Sequence, residues 1–282
     1  MSSPSPQERA YIHGTSDREQ QRLIEQADIL THLLAAKLEL HPGERLLEIG
    51  CGVGAVLAQI ARGQPQTLLS GIDISPEQIA GGHRHLDAQG LGSGSANPVE
   101  LVVGDGAALP WPDDHFDRVR LVWVIEHLGD PLAVLPAARR VLRPGGTIHL
   151  TETDYASLRV SPPDAAIEAL LAAFVAHFNR HGDAHAGPRL GPLLEQAGFT
   201  AVRNAMVGIH HWCPSEREQV QQFCAYLLGF ISPELPALQA AAPTAELAAQ
   251  LEVGVQRFAA LGDRHKASIS ISGYQGFGVA PA

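Results

Sequence analysis

Three glycines at alternate positions follow a short apolar run in the segment LLEIGCGVGA, residues 46–55. Such a run is typical of a buried strand that turns tightly into a helix and leaves the backbone open to close approach by a ligand. With Ala55, the segment also satisfies the G-x-G-x-x-A pattern of dinucleotide-binding folds. The pattern predicts an open α/β sheet with a ligand at the carboxyl ends of its strands, and it leaves the identity of that ligand open.

Strand-like and helix-like segments alternate from this point to about residue 154. The predicted strands are RLLEIG, TLLSGIDI, VELVVGD, DRVRLVWVI and TIHLTETD, with helices at 54–63, 76–89 and 130–142 and a turn at 144–146. Later helices are predicted at 162–181, 188–197 and over most of 215–262, and strands at 200–212 and 268–279. We therefore predict an α/β fold, a Rossmann-like seven-stranded, mostly parallel sheet with helices on both faces and helical cap insertions.

Composition narrows the partners that the chain can have. The formal net charge is −10, which disfavours a nucleic-acid partner because an acidic surface repels phosphates. No apolar stretch is long enough to predict a membrane span, and the amino-terminal residues do not resemble a signal peptide. The three cysteines, an odd number without CxxC spacing, favour reduced thiols and a cytoplasmic protein.

Glu48 bears on the ligand of the glycine-rich segment. It lies two residues before Gly50, so its carboxylate would oppose a pyrophosphate and attract a cation. S-adenosylmethionine (SAM) has no phosphate and carries a sulfonium and an ammonium group. The arrangement of Glu48, Gly50, Gly52 and Gly54 therefore favours SAM over a dinucleotide.

Two further acids end the second and third predicted strands. Asp73 is placed to accept hydrogen bonds from ribose hydroxyls, in NAD and SAM alike, with helix capping as the alternative. Asp105 is placed to accept a hydrogen bond from the adenine amino group, and the backbone N–H groups of Gly106 and Ala107 can reach the ring nitrogens. Asp105-Gly106 taken alone is an ordinary turn signal. Ile74 and Val124 complete the predicted cofactor-binding set.

Several motifs together resemble the class I SAM-dependent methyltransferases. The similarity covers roughly residues 44–154 and includes LLEIGCGVG, Asp73, GDGAALPWPDDHFD, WVIEHLGDP and LRPGG in the family's order. It implies SAM as cofactor, S-adenosylhomocysteine as product, and an S-adenosyl-L-methionine-dependent methyltransferase activity. A dinucleotide dehydrogenase would share only the first motif.

The segments YIHGTSDREQQRL and HGDAHAGPRLGPLLEQAGF are similar to parts of small-molecule methyltransferases, including quinone-pathway C-methyltransferases and gliotoxin-type thiol methyltransferases. This resemblance implies that residues 1–43 form an arm and helix that closes over the cofactor, with Tyr11 near its methionyl end. Residues 44–282 would then be the methyltransferase domain, with cap insertions at about 160–198 and 214–264. The acceptor would be a small molecule, with O, N, S or C as the methylated atom.

His127 is the first candidate base, because it follows the fourth strand and a neutral imidazole can take a proton. Glu126 is a candidate orienting residue, and a purely structural role for both residues is the alternative. Side chains after the fifth strand and in the later histidine-containing segments are candidates for the acceptor pocket: Asp154, Tyr155, His185, His210 and Trp212. Their spacing matches no common metal signature, so no metal is predicted.

Two other functions remain open at this point. An NAD(P)-dependent oxidoreductase needs only the glycine-rich segment and Asp73. A SAM-binding protein without turnover would share every motif, because methyl displacement requires no invariant catalytic residue. The sequence does not determine the oligomeric state.

Overall fold

The computed structural model describes residues 16–29, 38, 40–64 and 66–282. The chain divides into two compact units. The first unit comprises the residues up to Glu152, together with Gly187–Ala205 and Tyr274–Ala282. The second comprises Thr153–Ala186 and Met206–Gly273. Residues 187–198 thus group with the first unit, whereas the sequence assigned them to a cap insertion.

A seven-stranded sheet has the order β3-β2-β1-β4-β5-β7-β6. Its strands are β1 (Arg45–Ile49), β2 (Leu68–Asp73), β3 (Val99–Val103), β4 (Phe116–Val122), β5 (Leu142–Ser161), β6 (Thr200–Trp212) and β7 (Ser268–Val279). β1 pairs in parallel with β2 and β4, β2 with β3, and β4 with β5. The strand order reverses beside β1, the place where ligands bind in open α/β sheets. The predicted seven-stranded Rossmann-like sheet is confirmed.

The helices are α1 (Asp17–Ile29), α2 (Ala55–Gly63), α3 (Pro76–Ala88), α4 (Pro131–Val141), α5 (Ala165–Phe178), α6 (Ala186–Gln196), α7 (Arg217–Ile231), α8 (Leu235–Ala240) and α9 (Ala245–Ala259). Local sequence explains where several of them begin. Ser75 and Asp130 each accept a hydrogen bond from a backbone N–H of the first turn, and a proline follows each as the first helical residue. Proline is favoured there because its missing N–H would have no partner within the helix.

The predicted turn at 144–146 lies inside β5. Phe116 pairs with Leu142 and Arg118 pairs with Thr147, so β5 carries extra residues against β4 at this point. Gly145 has a φ of +78°, which fits a bulge in the strand. The glycines therefore bend β5 locally, and the strand begins earlier than the sequence indicated.

The core of the first unit packs against the sheet. Four of the five residues of β1 are buried, and one of them, Leu46, packs in a cluster with aliphatic side chains of α2, α3 and β3. In the second unit, Tyr155 packs against Phe174, Phe178 and Phe230, with ring centroids 5.3–6.1 Å apart. All four of these residues belong to the second unit.

The cysteines, Cys51, Cys213 and Cys224, are buried and free of disulfides. Among the described residues, no helix is both long and apolar enough to cross a bilayer. The same residues contain no group of three or more His, Cys, Asp or Glu side chains arranged to hold a metal ion.

Candidate functional site

The glycine-rich loop between β1 and α2 adopts a conformation that favours glycine at three positions. Gly50, Gly52 and Gly54 have φ values of +71°, +51° and +66°. A Cβ atom added to Gly50 would lie 2.5 Å from Cγ2 of Val124, a separation that real Cβ contacts do not show. Both backbone conformation and space therefore exclude a side chain at Gly50.

Asp73 ends β2 and is hydrogen-bonded to this loop. Its Oδ2 accepts a hydrogen bond from the Gly52 N–H at 2.8 Å, and its Oδ1 accepts one from the Ser75 N–H at 2.9 Å. Burial raises the pKa of Asp73, and the backbone hydrogen bonds act in the opposite direction. Each carboxylate oxygen has two lone pairs, so each can accept another hydrogen bond, as ribose hydroxyls require. The side chain of Ile74 next to it is 67% exposed and offers an apolar surface.

The neighbouring strand β4 places a positively charged side chain, that of Arg120, beside Glu48. It lies opposite Arg120 in the β1–β4 register, and both side chains are buried. Burial raises the pKa of Glu48 to about 7, and the positive charge of Arg120 partly offsets this effect. Glu48 Oε2 has no hydrogen-bond partner among the described residues. The sequence argument that Glu48 needs a cationic ligand is therefore weakened, because Arg120 supplies a counter-charge.

The loop after β3 is stabilised by a hydrogen bond from its own backbone to the side chain of Asp105. Asp105 Oδ1 accepts a hydrogen bond from the Ala107 N–H at 2.8 Å, so the carboxylate forms the turn that its sequence also indicated. The Asp105 side chain remains exposed and keeps lone pairs for a further donor. A Cβ atom at Gly106 would lie 2.8 Å from Ile49, so only glycine fits this close to the end of β1.

A tight turn follows β4 and carries Val124, whose side chain lies against Gly50. Trp123 has a φ of +51°, a conformation that costs energy in a residue with a side chain. The turn is held by Glu152 of β5, whose Oε1 accepts hydrogen bonds from the N–H groups of Val124 at 2.9 Å and Ile125 at 2.7 Å. Glu152 was not among the predicted site residues, although a glutamate within a strand of a buried parallel sheet is a signal for a buried charge with a dedicated partner.

The turn ends in a short 3₁₀ helix, Ile125–His127, which contains Glu126 and His127. His127 Nε2 lies 3.4 Å from Glu126 Oε1. Burial and the nearby positive charge of Arg22 lower the pKa of His127 to about 4. The imidazole is therefore neutral near pH 7 and a weaker base than an ordinary histidine. Arg22 itself forms an ion pair with Glu19 at 2.6 Å within α1.

The predicted acceptor-pocket residues all belong to the second unit. Asp154 Oδ1 lies 3.2 Å from His185 Nδ1, so these two form a carboxylate–imidazole pair. His210 is exposed, and Trp212 is 49% exposed. Tyr155 is only 7% exposed and packs in the aromatic core, so a pocket-lining role for it is not supported.

One predicted cofactor contact, Tyr11, lies outside the described residues. The described part of the same amino-terminal region does reach the glycine-rich loop. A Cβ atom at Gly52 would lie 3.2 Å from Leu23 of α1. Helix α1 therefore covers the loop at this point.

Residues 47–150 match a sequence family described as a methyltransferase domain. This segment of the chain is therefore similar to a methyltransferase domain. The match begins at the second residue of the glycine-rich segment and ends within β5, so the domain includes the loop, Asp73 and the turn that carries Val124. The resemblance predicted from the sequence motifs is confirmed.

Curated relatives of this domain include methyltransferases from several bacteria. The 27-O-demethylrifamycin SV methyltransferase of Amycolatopsis mediterranei is 35% identical over 138 residues, which cover 49% of each chain. The demethylmenaquinone methyltransferase of Geobacillus kaustophilus is 29% identical over 123 residues, covering 43% of this chain and 50% of that protein. The chain thus spans about half the length of these relatives.

A solved structure with a similar fold is the phosphoethanolamine N-methyltransferase 2 of Haemonchus contortus, in complex with phosphomonomethylethanolamine and S-adenosylhomocysteine. The TM-score is 0.59 at 15% identity, over 97% of this chain and 61% of that chain. At this identity the similarity concerns the fold alone.

Proposed function

We propose that this protein is a SAM-dependent methyltransferase that acts on a small-molecule acceptor and forms S-adenosylhomocysteine. The observation that carries the proposal is the pair of Gly52 and Asp73. Inside a methyltransferase domain, a glycine-rich loop is hydrogen-bonded to a carboxylate that keeps acceptor capacity for a ribose. The relatives' names refer to rifamycin and menaquinone precursors, which favours a small-molecule acceptor over nucleic acid.

The residues of the first unit suit SAM, a ligand that does not need a phosphate-binding site. The glycines at 50, 52 and 54 would let the backbone approach the cofactor closely, Asp73 would accept hydrogen bonds from its ribose, and the loop at 105–107 would hold its adenine. Bound SAM supplies an activated methyl group whose leaving group is a neutral thioether, so no acid is needed to expel it. The chain then has to orient the acceptor and exclude water.

The role of His127 follows from its protonation. A neutral imidazole with a pKa of about 4 can accept a hydrogen bond from an acceptor hydroxyl or amine and orient it. It is a poor final holder of a proton at neutral pH. We therefore propose His127 as an orienting residue, and Glu126 as the residue that orients His127 in turn.

The negative net charge and the three free thiols support two finer points. We propose that the protein works in the cytoplasm, and that nucleic acid is not its acceptor. Fractionation of the native cell and a gel-shift assay with single- and double-stranded nucleic acid test these points. Recovery of the protein outside the cytoplasm, or a stable nucleic-acid complex, would contradict them.

Calorimetry with S-adenosylhomocysteine tests the cofactor site. Asp73→Ala should weaken binding by at least about tenfold, roughly the 1.4 kcal/mol of one charge-assisted hydrogen bond. Asp87→Ala is the matched control, since Asp87 is an exposed aspartate of α3 that belongs to no predicted site, and it should leave affinity unchanged. Equal affinity of the two variants would refute the ribose assignment.

The two alternative functions give different results in the same experiments. Tighter binding of NADH than of S-adenosylhomocysteine would support an oxidoreductase. Tight S-adenosylhomocysteine binding with no methylated product in a broad screen of phenols, amines, thiols and quinols would support a SAM-binding protein without turnover. Incorporation of a labelled methyl group into an acceptor supports the proposed function.

A further inference from the structure

The connection between β3 and β4, residues 104–115, is long and contains no helix or strand of its own. The structure describes all of it, and Leu109, which is 6% exposed, is its one buried residue. A loop with so few buried side chains gains little from packing, so packing alone does not fix its conformation. The hydrogen bonds between this connection and the rest of the first unit therefore decide how well it is ordered.

Arg140, in the last turn of α4, makes several of these hydrogen bonds. Its Nη2 donates to the carbonyl oxygen of Leu109 at 2.9 Å, and its Nη1 donates to the carbonyl oxygen of Trp111 at 2.9 Å. Nη1 also donates to Oδ1 of Asp113 at 2.8 Å, and the carbonyl oxygen of Arg140 accepts from the Asp114 N–H at 3.2 Å. The planar guanidinium group thus binds two carbonyl groups that lie two residues apart, and a single ammonium nitrogen does not provide this fork.

Helix α4 also lies against the first part of the connection. A Cβ atom at Gly106 would lie 3.4 Å from Cγ1 of Val134, which is an ordinary van der Waals contact. Val134 and Arg140 are six residues apart, about 9 Å along the helix axis. The helix therefore supports the connection at two separate points, at Gly106 and at the carbonyl groups of Leu109 and Trp111.

A short turn joins the carbonyl groups bound by Arg140 to Asp105. The Ala108 N–H donates to the carbonyl oxygen of Asp105 at 3.0 Å, and the Ala107 N–H donates to Asp105 Oδ1 at 2.8 Å. Leu109 follows this turn directly, so the hydrogen bond between Arg140 and Leu109 fixes the position at which the turn ends. A displacement of Leu109 would therefore change the direction of the Asp105 side chain.

We propose that Arg140 is a positioning residue that gives the candidate site its selectivity for an adenine base. In the proposed complex, the Asp105 carboxylate would accept a hydrogen bond from the adenine amino group, and Arg140 would hold the loop in the arrangement where this bond forms. Arg140 acts through the carbonyl groups of Leu109 and Trp111 and needs no contact with the ligand. The selectivity rests on the proposed function, whereas the order of the loop in the free protein does not.

Two ligands that differ only in the base measure this selectivity. S-inosylhomocysteine carries an oxygen where S-adenosylhomocysteine carries the amino group, so it presents an acceptor to the Asp105 carboxylate. We expect the wild type to bind S-adenosylhomocysteine at least about tenfold more tightly, the effect of one lost hydrogen bond. Arg140→Met should reduce this preference to about threefold or less, because Asp105 is then no longer held toward the amino group. A general loss of stability would weaken the binding of both ligands alike and leave the preference unchanged.

Arg139→Met is the matched control, since Arg139 is the preceding arginine of the same helix and its guanidinium group lies beside Gly198 instead. Both of its affinities should stay within about twofold of the wild type. Asp113→Asn tests the ion pair separately. Asp113 is 73% exposed, and exposed pairs contribute little, so this variant should keep the preference for adenine.

The preference itself decides the outcome. A wild type without this preference, a preference that Arg140→Met leaves unchanged, or an equal reduction by Arg139→Met would overturn the proposal. If Arg140→Met does not fold, Arg140→Lys takes its place, because it keeps the charge and the apolar stem but not the planar fork. Its preference should then lie below that of the wild type.

Hydrogen exchange in the free protein keeps this test separate from the proposed function. The N–H groups of Ala107 and Ala108 are hydrogen-bonded within the turn, so they should exchange faster in Arg140→Met and at the wild-type rate in Arg139→Met. If the wild type does not bind S-adenosylhomocysteine while exchange behaves as expected, the proposed function fails and the ordering of the loop by Arg140 stands. Binding by the wild type, with unchanged exchange at Ala107 and Ala108 in Arg140→Met, would refute the role of Arg140 alone.

Discussion

Gly43 and Gly50 have nearly the same backbone conformation and very different surroundings. Their φ values are +83° and +71°. A Cβ atom at Gly43 would have no heavy atom within 4 Å, whereas at Gly50 it would meet Val124 at 2.5 Å. The pair therefore separates the cost of the left-handed conformation from the cost of a collision at the candidate site.

We expect Gly43→Ala to lower the free energy of unfolding by about 1–2 kcal/mol, the usual cost of this conformation for a residue with a Cβ. Gly50→Ala should lower it by about 1–3 kcal/mol more, because Val124 has to move as well. Urea unfolding of both variants measures the difference. Only Gly50→Ala should also weaken S-adenosylhomocysteine binding. Equal destabilisation by the two substitutions would show that Val124 yields without cost.

At the level of elements, a row of three polar residues, two buried and one half-buried, crosses three adjacent strands. Glu48 of β1 lies opposite Arg120 of β4, which lies opposite His149 of β5. Burial and the positive charge of Arg120, with smaller effects of Arg118 and Arg203, lower the pKa of His149 to about 4. His149 is therefore neutral near pH 7. The negative charge of Glu48 and the positive charge of Arg120 offset each other.

Removal of one member of the Glu48–Arg120 pair should lower the free energy of unfolding more than removal of both members. We expect Arg120→Met to lower the free energy of unfolding by about 3 kcal/mol at pH 8, because it leaves the buried Glu48 carboxylate uncompensated. The loss should be smaller at pH 5, where Glu48, with a pKa of about 7 in the native protein, is protonated. Adding Glu48→Gln should recover at least about 1 kcal/mol at pH 8.

Arg118→Met is the matched control for this cycle. Arg118 lies on the same strand and pairs with Glu44, which also has Arg143 at 3.9 Å, so the loss of Arg118 leaves Glu44 with a second cation and should cost less than the loss of Arg120. Denaturant unfolding at the two pH values measures the wild type and the three variants. A loss for Arg120→Met that is the same at both pH values, with no recovery in the double variant, would contradict a compensating pair.

The elements themselves were largely predictable from local pattern. The strands predicted at 200–212 and 268–279 are Thr200–Trp212 and Ser268–Val279 in the structure, and the helix predicted at 54–63 begins one residue later. Alternation and glycine or proline signals depend on neighbours in the chain, and a sequence displays these directly. The pairings at the candidate site were not predictable in this way.

Three residues illustrate why the site was harder to predict. Arg120 opposes Glu48 only through the β1–β4 register, and Glu152 meets Val124 only because β4 and β5 are neighbours. Tyr155 follows the predicted strand TIHLTETD, whose end suggested a ligand contact, yet in the structure it lies within β5 and packs among phenylalanines from α5 and α7. Contacts between segments distant in the chain determine all three positions.

At the scale of the whole molecule, each of the two units has its own core and its own aromatic residues. In the first unit, Phe116 is 1% exposed and packs edge-to-face against Trp111 at 5.3 Å. In the second, Phe174 is equally buried and lies 5.8 Å from both Tyr155 and Phe178. The two phenylalanines therefore allow the same substitution to be made in each core.

We expect Phe174→Ala and Phe116→Ala each to destabilise the unit that contains it, by about 3–5 kcal/mol. In native-state hydrogen exchange, Phe174→Ala should accelerate exchange in α5, α7 and α9 more than in β1 and β2. Phe116→Ala should give the opposite pattern. Uniform acceleration by both variants would show that the chain opens as one cooperative body.

The two hydrogen bonds of Asp73 have a consequence for the thermodynamics of binding. Because its carboxylate joins the N–H of Gly52 to the N–H of Ser75, the glycine-rich loop is tied to the start of α3 by the protein itself. The conformational entropy of that loop is then lost during folding, and ligand binding does not have to supply it again. In the proposed complex, the ribose would meet a carboxylate that is already oriented. The affinity would then depend on the hydrogen bonds that hold Asp73 within the protein as much as on the contact between Asp73 and the ligand.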